Sequence, residues 1–179
     1  MVNLPNFFSF ARIVLLFPFI YLLLKGCYGY ALAVGFAAAL TDLLDGALAR
    51  RLHQQTVMGT YLDPAADKLF MTASFITLTA AGLLPLWLTF LVIGRDVMIV
   101  LGVLILHLLS LPLEARPSMA SKVTTTLQML AIGAPILSAS VYPLPWLTAA
   151  LIVACAAGTV VSGVQYLGRG VRILKKGKR

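Results

Sequence analysis

Charge is what this sequence has least of. Only 11% of its 179 residues are charged, against roughly a quarter in soluble globular domains. Acids are scarcer than bases, with six Asp and Glu against 14 Lys and Arg and a formal net charge of +8. Three stretches carry no charged residue at all: Leu69 to Gly94, Val97 to Leu113 and Val123 to Gly168. A bilayer-spanning helix needs about 20 apolar residues, so these stretches hold several spans. The hydrophobic content of 60% and the mean hydropathy of +0.96 agree. A soluble core is excluded, and the chain reads as an integral membrane protein. Cysteine is nearly absent as well. Cys27 and Cys155 show no CxxC spacing and no neighbouring His, which argues against a zinc site or a disulfide framework and leaves two small packing residues. No internal repeat, low-complexity tract or separate soluble segment breaks the chain. One membrane domain over residues 1–179 is expected, with a basic cytoplasmic tail at 167–179.

What is present then sets the layout. Six spans fit, at about 7–24, 28–48, 65–84, 86–109, 119–141 and 143–166, making the fold all-α and polytopic with six transmembrane helices. The first apolar run has an internal Arg12, no basic start and no small-residue cleavage site, so it reads as a retained span and not a signal peptide. Arg50, Arg51 and Lys68 flank the second connection, and Arg116 and Lys122 flank the fourth. Arg169, Arg172, Lys175, Lys176, Lys178 and Arg179 fill the tail, while the opposite side offers Lys25 alone. The positive-inside rule places both termini and both basic connections in the cytoplasm. Tyr28, Tyr30, Trp87, Tyr142 and Trp146 mark the outer interface. Because the basic tail directly follows a span, attraction to anionic headgroups or a purely topological role explains it, and nucleic-acid binding is not expected.

The few acids are concentrated. Asp42, Asp45, Asp63 and Asp67 account for four of the six. The first two lie near the inner end of span two and the last at the start of span three, at similar depth. Asp42, Asp45, Gly46 and Ala49 follow the i, i+3, i+4, i+7 spacing of one helical face, and Gly59, Asp63 and Asp67 share a face if that segment is helical. Each intramembrane Asp costs about 2.5–3.5 kcal/mol, so four converging acids need compensation on the order of 10 kcal/mol. Salt bridges to Arg50, Arg51 and Lys68 are the plainer source. Hard divalent cations explain the excess better, since carboxylate oxygens bind them together with substrate phosphates. Gly46 and Gly59 would admit a bulky ligand close to the backbone, or serve helix packing.

At these residues a resemblance becomes plain. Asp42-Leu-Leu-Asp45-Gly46-Ala-Leu-Ala49-Arg50, eight further residues, and then Gly59-Thr-Tyr-Leu-Asp63-Pro-Ala-Ala-Asp67 resembles the signature of the CDP-alcohol phosphatidyltransferases, with every fixed position filled. The similarity extends through Asn6, Ser9 and Arg12 to Gly94-Arg95-Asp96 and Ser121-Lys122-Val123. It implies a metal site of two Mg²⁺ or Mn²⁺ ions framed by Asp42, Asp45, Asp63 and Asp67. It also implies a cytidine diphosphate site at Asp42, Asp45, Gly46, Ala49, Arg50 and Gly59, with Asp67 as general base, and a homodimer in a bacterial cytoplasmic membrane.

The acceptor is the harder question. Family members that take glycerol 3-phosphate, the phosphatidylglycerophosphate synthases, resemble this chain at Arg95. They typically add a second arginine where Val103 stands and a lysine where Thr124 stands. Without those cations an uncharged acceptor hydroxyl is favoured, since an unpaired phosphate in a partly buried pocket is penalised by several kcal/mol. The runs 94–98 and 117–123 resemble the cardiolipin synthases of the family, which join CDP-diacylglycerol to phosphatidylglycerol and release CMP. Arg95 and Lys122 are then candidate acceptor residues, although Arg95 and Asp96 would serve equally as a structural mid-span pair. His107, among leucines, suits packing or an interface, and His53 has no partner that suggests chemistry. An ion-coupled transporter is the alternative class. Such proteins usually carry two related halves, and the acids here gather at one face instead of crossing the membrane.

Overall fold

The computed structural model describes the backbone over residues 4–52, 57–109 and 119–176, and side chains over 10–41, 65–109 and 119–173. Among the described residues six helices follow one another: α1 (Leu4–Leu24), α2 (Tyr28–Leu52), α3 (Val57–Ala80), α4 (Leu86–Leu108), α5 (Met119–Ser140) and α6 (Pro145–Lys176). Among the described residues three stretches are long and apolar enough to cross a membrane: Leu86–Leu108, Met119–Ser140 and Pro145–Ile173. Phe10–Leu24 and Tyr28–Thr41 are shorter apolar stretches. Helix α6 runs on to Lys176, so most of the basic tail expected after residue 166 continues the last helix.

Glycine sets two of the helix ends. At the end of α1 the Gly26 N–H donates to Leu23 O (3.1 Å) and the Cys27 N–H to Leu22 O (2.9 Å), with Gly26 at φ 73°. At the end of α3 the Gly82 N–H donates to Thr79 O (3.0 Å) and the Leu83 N–H to Leu78 O (2.9 Å), with Gly82 at φ 74°. Both are Schellman closures, in which a left-handed glycine lets the last carbonyls find donors.

The chain divides into two compact units. In the first, Met1–Leu84 with Ile132–Pro145, α1 packs on both α2 and α3. Arg12, Leu16, Phe19 and Leu23 form a buried stripe on α1, spaced as one helical face. Phe19 stacks at a tilt on Phe70 of α3, ring centroids 5.2 Å apart. It also fills the space over Gly35 of α2, where a Cβ would meet the Phe19 ring at 3.0 Å. In the second unit, Pro85–Ala131 with Trp146–Arg179, Thr124 of α5 donates to Gly158 O of α6 at 2.9 Å. A small residue lets the two backbones approach there, as helices in membranes commonly do.

Beside an apolar core, large apolar side chains stand exposed and several polar ones are buried. Phe10, Phe17, Phe36, Phe90, Leu108 and Met119 stand exposed, while Ser74, Thr77, Thr124, Gln128, Thr159 and Ser162 are buried. The hydroxyls manage this by donating to the carbonyl one turn back, as in Ser74 to Phe70 O (2.7 Å) and Thr159 to Cys155 O (2.7 Å).

Candidate active site

The four aspartates stand at matched distances along their two helices from the connection that joins them. Helices α2 and α3 are joined by the four residues 53–56, so Leu52 and Val57 lie at most about 18 Å apart. Asp42 stands ten residues before Leu52 and Asp67 ten after Val57, each about 15 Å along its helix from the connection. Asp45 and Asp63 stand about 10 Å along theirs. Helix α2 continues through Leu52, so Asp42, Asp45, Gly46 and Ala49 do share a helical face. Helix α3 begins at Val57, so Gly59, Asp63 and Asp67 share one too. The side chains of Asp42, Asp45, Ala49, Arg50 and Asp63 lie outside the described residues. As a donor set, hard carboxylate oxygens carried by two consecutive helices fit a hard divalent cation.

Asp67 is described, and its partner is a residue whose role the motif does not give. The Arg12 guanidinium of α1 donates through Nη1 to Asp67 Oδ1 of α3. Arg12 is 3% exposed and the Asp67 side chain 38%, so the arginine holds the carboxylate from the protein side. The signal was in the sequence: Arg12 is the one charge between Met1 and Lys25, and a lone arginine in an apolar span needs an acid.

In the second unit Arg95 of α4 is the centre of a separate polar cluster. Its Nη1 donates to Asp96 Oδ1 at 2.7 Å, and its Nη2 donates to Ser121 Oγ of α5 at 2.9 Å and to Ser162 Oγ of α6 at 2.6 Å. The guanidinium carbon lies 5.6 Å from the centroid of the Tyr166 ring, within cation–π range. Arg95 is 7% exposed, and its Nε is buried without a partner among the described residues. Lys122, next to Ser121, is exposed. Sequence reasoning placed Arg95 and Lys122 together, and Ser162 and Tyr166 were missed because nothing local marks them. Thr124, where other family members carry a lysine, is sealed between helices, its Oγ1 2.8 Å from Ala120 O and 2.9 Å from Gly158 O so that the two carbonyls share its one proton. Val103, where the second arginine was looked for, is exposed on α4. His107 is exposed in the last turn of α4, which suits an interface and not packing.

Comparison with known proteins agrees with the motif. The family model for CDP-alcohol phosphatidyltransferase matches residues 2–161. The chain belongs to the CDP-alcohol phosphatidyltransferase family, and it is an integral membrane enzyme of that family. A cardiolipin synthase (CMP-forming) of Rattus norvegicus is 36% identical over 148 residues, covering 74% of this chain and 49% of that protein. A probable phosphatidylglycerophosphate synthase of Mycobacterium tuberculosis is 35% identical over 179 residues, covering 95% of this chain and 82% of that protein. A CDP-diacylglycerol--glycerol-3-phosphate 3-phosphatidyltransferase of Aquifex aeolicus is 36% identical over 138 residues, covering 74% of this chain and 76% of that protein. The chain spans about half the length of the mammalian cardiolipin synthases it matches.

Proposed function

We propose that this protein is a cardiolipin synthase, transferring the phosphatidyl group of CDP-diacylglycerol to phosphatidylglycerol with release of CMP. The observation that carries the choice of acceptor is the state of Arg95. Both Nη nitrogens are engaged by the chain's own Asp96, Ser121 and Ser162, and Asp96 balances the charge. A phosphate dianion needs cations with open donors, and bidentate binding by a guanidinium needs two of them on one edge. Arg95 offers no such edge, Val103 is apolar, and Thr124 is sealed between α5 and α6. A headgroup hydroxyl carries no charge to be matched, and a diacyl acceptor gains its binding from the bilayer. Arg95 then serves the acceptor by fixing Ser121, and with it the exposed Lys122.

In the reaction the acceptor hydroxyl oxygen forms a bond to the phosphorus bearing the diacylglycerol. The pyrophosphate P–O bond breaks, and CMP leaves with the electron pair. Asp67 receives the hydroxyl proton as general base, which requires its carboxylate to be ionised and within hydrogen-bond reach. Asp42, Asp45, Gly46, Ala49, Arg50 and Gly59 hold the cytidine diphosphate portion. Asp42, Asp45, Asp63 and Asp67 hold two Mg²⁺ or Mn²⁺ ions. When bound, such ions neutralise pyrophosphate charge and stabilise the departing CMP. The enzyme acts as a six-span homodimer in a bacterial cytoplasmic membrane, with its site on the inner side.

A second reading is favoured by the match along 95% of the chain to the mycobacterial relative: phosphatidylglycerophosphate synthase, with glycerol 3-phosphate as acceptor. One experiment separates the two. Purified protein is given CDP-diacylglycerol with phosphatidylglycerol and glycerol 3-phosphate in competition, and the lipids are identified by mass spectrometry. Cardiolipin with stoichiometric CMP is expected. Efficient formation of phosphatidylglycerophosphate, with phosphatidylglycerol untouched, would transfer the assignment to the second reading.

A further inference from the structure

A charge at residue 12 has to be explained, because the residues after it are the apolar body of α1. An arginine within a span costs about 2.5–3.5 kcal/mol on insertion scales, and such residues occur where a partner repays them. The partner here is Asp67, 55 residues away on α3. Simple neutralisation would be satisfied by a flexible, half-exposed cation such as the lysine that follows Asp67. The observed arrangement is different. Arg12 lies on the same buried stripe as Leu16, Phe19 and Leu23, and Phe19 is wedged between Phe70 of α3 and Gly35 of α2. The guanidinium is therefore anchored by a packed helix face, and a buried arginine meets a carboxylate that is itself partly exposed.

We propose that Arg12 is the positioning residue for Asp67, fixing the orientation in which that carboxylate meets the acceptor hydroxyl. The proposal rests on the reading of Asp67 as general base. An aspartate has two side-chain torsions, and a catalytic group must be held within about 0.5 Å of its productive place. A planar guanidinium fixed on a neighbouring helix supplies that restraint, where an ammonium supplies only charge. Arg12 does not touch the reacting atoms. It acts through Asp67, so removing it impairs the step in which Asp67 takes a proton and spares donor binding.

The test compares wild type, Arg12→Gln, Arg12→Lys, Asp67→Asn and the double variant Arg12→Gln with Asp67→Asn in detergent. Three quantities are read: kcat, KM for CDP-diacylglycerol, and the rise in melting temperature that CDP-diacylglycerol produces in Mn²⁺ buffer. Arg12→Gln is expected to lower kcat by about 100-fold, the scale of a 1 Å misplacement, with KM and the donor-induced melting rise close to wild type. Arg12→Lys is expected to recover part of the rate. In the Asp67→Asn background the Arg12 change should add no further loss. Full activity in Arg12→Gln, full rescue by Arg12→Lys, additive losses in the double variant, or a vanished donor-induced melting rise would each overturn the proposal. If Arg12→Gln does not fold, Arg12→Lys decides: a kcat loss at unchanged KM supports positioning, and wild-type kcat refutes it. A wild-type protein that transfers nothing defeats the functional reading itself, which is a separate outcome.

Discussion

A carboxylate serving a metal and a carboxylate serving a helix contact respond differently to the loss of one charge. Asp42 and Asp63 lie on α2 and α3, and the described side-chain contacts that join α1 to α3 are made by other residues, Arg12 with Asp67 and Phe19 with Phe70. Asp42→Asn and Asp63→Asn should therefore abolish transfer, by 10³-fold or on that order, while the melting temperature in detergent stays within a few degrees of wild type. A variant of either kind that keeps near-normal turnover defeats the metal-site assignment. Gln128 presents the opposite case. It is fully buried on α5, and neither its Nε2 nor its Oε1 has a partner among the described residues. An unmatched buried amide costs about 1–3 kcal/mol, so Gln128→Met, similar in shape and without the polar atoms, should stabilise the protein by about 1 kcal/mol. Denaturant titration in mixed micelles measures it, and a clear loss of stability would mean that an internal water bonds the amide. At this scale the aspartates were legible because six acids in 179 residues cannot hide. Arg12 was visible without its partner. Ser162 was not visible at all, because a serine in an apolar helix looks the same whether or not an arginine reaches it.

Helices report their lengths in sequence more readily than their contacts. The end of α1 at Leu24 matches the span read as 7–24, whereas α3, read as running to 84, stops at Ala80 because Gly82 closes it. The sixth span, read as 143–166, falls short of the helix, which passes through Gly168 and Gly170 to Lys176. Neither glycine has a positive φ, so neither is used as a cap. Contacts are harder because any small residue can pack, and only the structure distinguishes them. At Gly158 an added Cβ would meet Leu127 Cδ1 at 3.2 Å and Thr124 Oγ1 at 3.3 Å, whereas at Gly102 it would meet nothing within 4 Å. Gly158→Val should push α5 from α6 and weaken the Thr124 to Gly158 hydrogen bond, destabilising by about 1–3 kcal/mol. Gly102→Val, equally β-branched and equally helical, is the control and should change stability by much less. Equal effects at both sites would mean that helix propensity and not the α5–α6 contact sets the loss. Thr124, the position at which a lysine would serve a phosphate acceptor, is buried against α6, so alignment by motif gives the position in sequence and burial decides what the side chain touches.

Over the whole molecule the distribution of charge makes a claim that no single residue makes. Eleven of the 14 basic residues flank one face by the reading of the connections, and Lys25 alone marks the other, held 5.8 Å from the Tyr21 ring. Orientation follows from the positive-inside rule and is the part of the proposal easiest to check with the chain's own chemistry. Cys27 lies in the connection between α1 and α2 and is exposed, while Cys155 is buried in α6. Cys27 also lines an open groove of about 570 Å³ with Tyr28, Tyr30 and Ser140, which gives a reagent room to approach. The two cysteines therefore form a built-in topology probe: one reports, the other stays silent. In sealed right-side-out vesicles a membrane-impermeant maleimide should label the wild-type protein, and Cys27→Ser should abolish that labelling while Cys155→Ser leaves it unchanged. A cysteine placed at Lys175 in the Cys27→Ser background should react only after the vesicles are opened, because the positive-inside rule assigns the basic end of α6 to the inner face. Labelling of Cys27 only after opening, with the Lys175 position reactive from outside, would invert the orientation and move the aspartate site to the wrong side for a CDP-activated donor made in the cytoplasm.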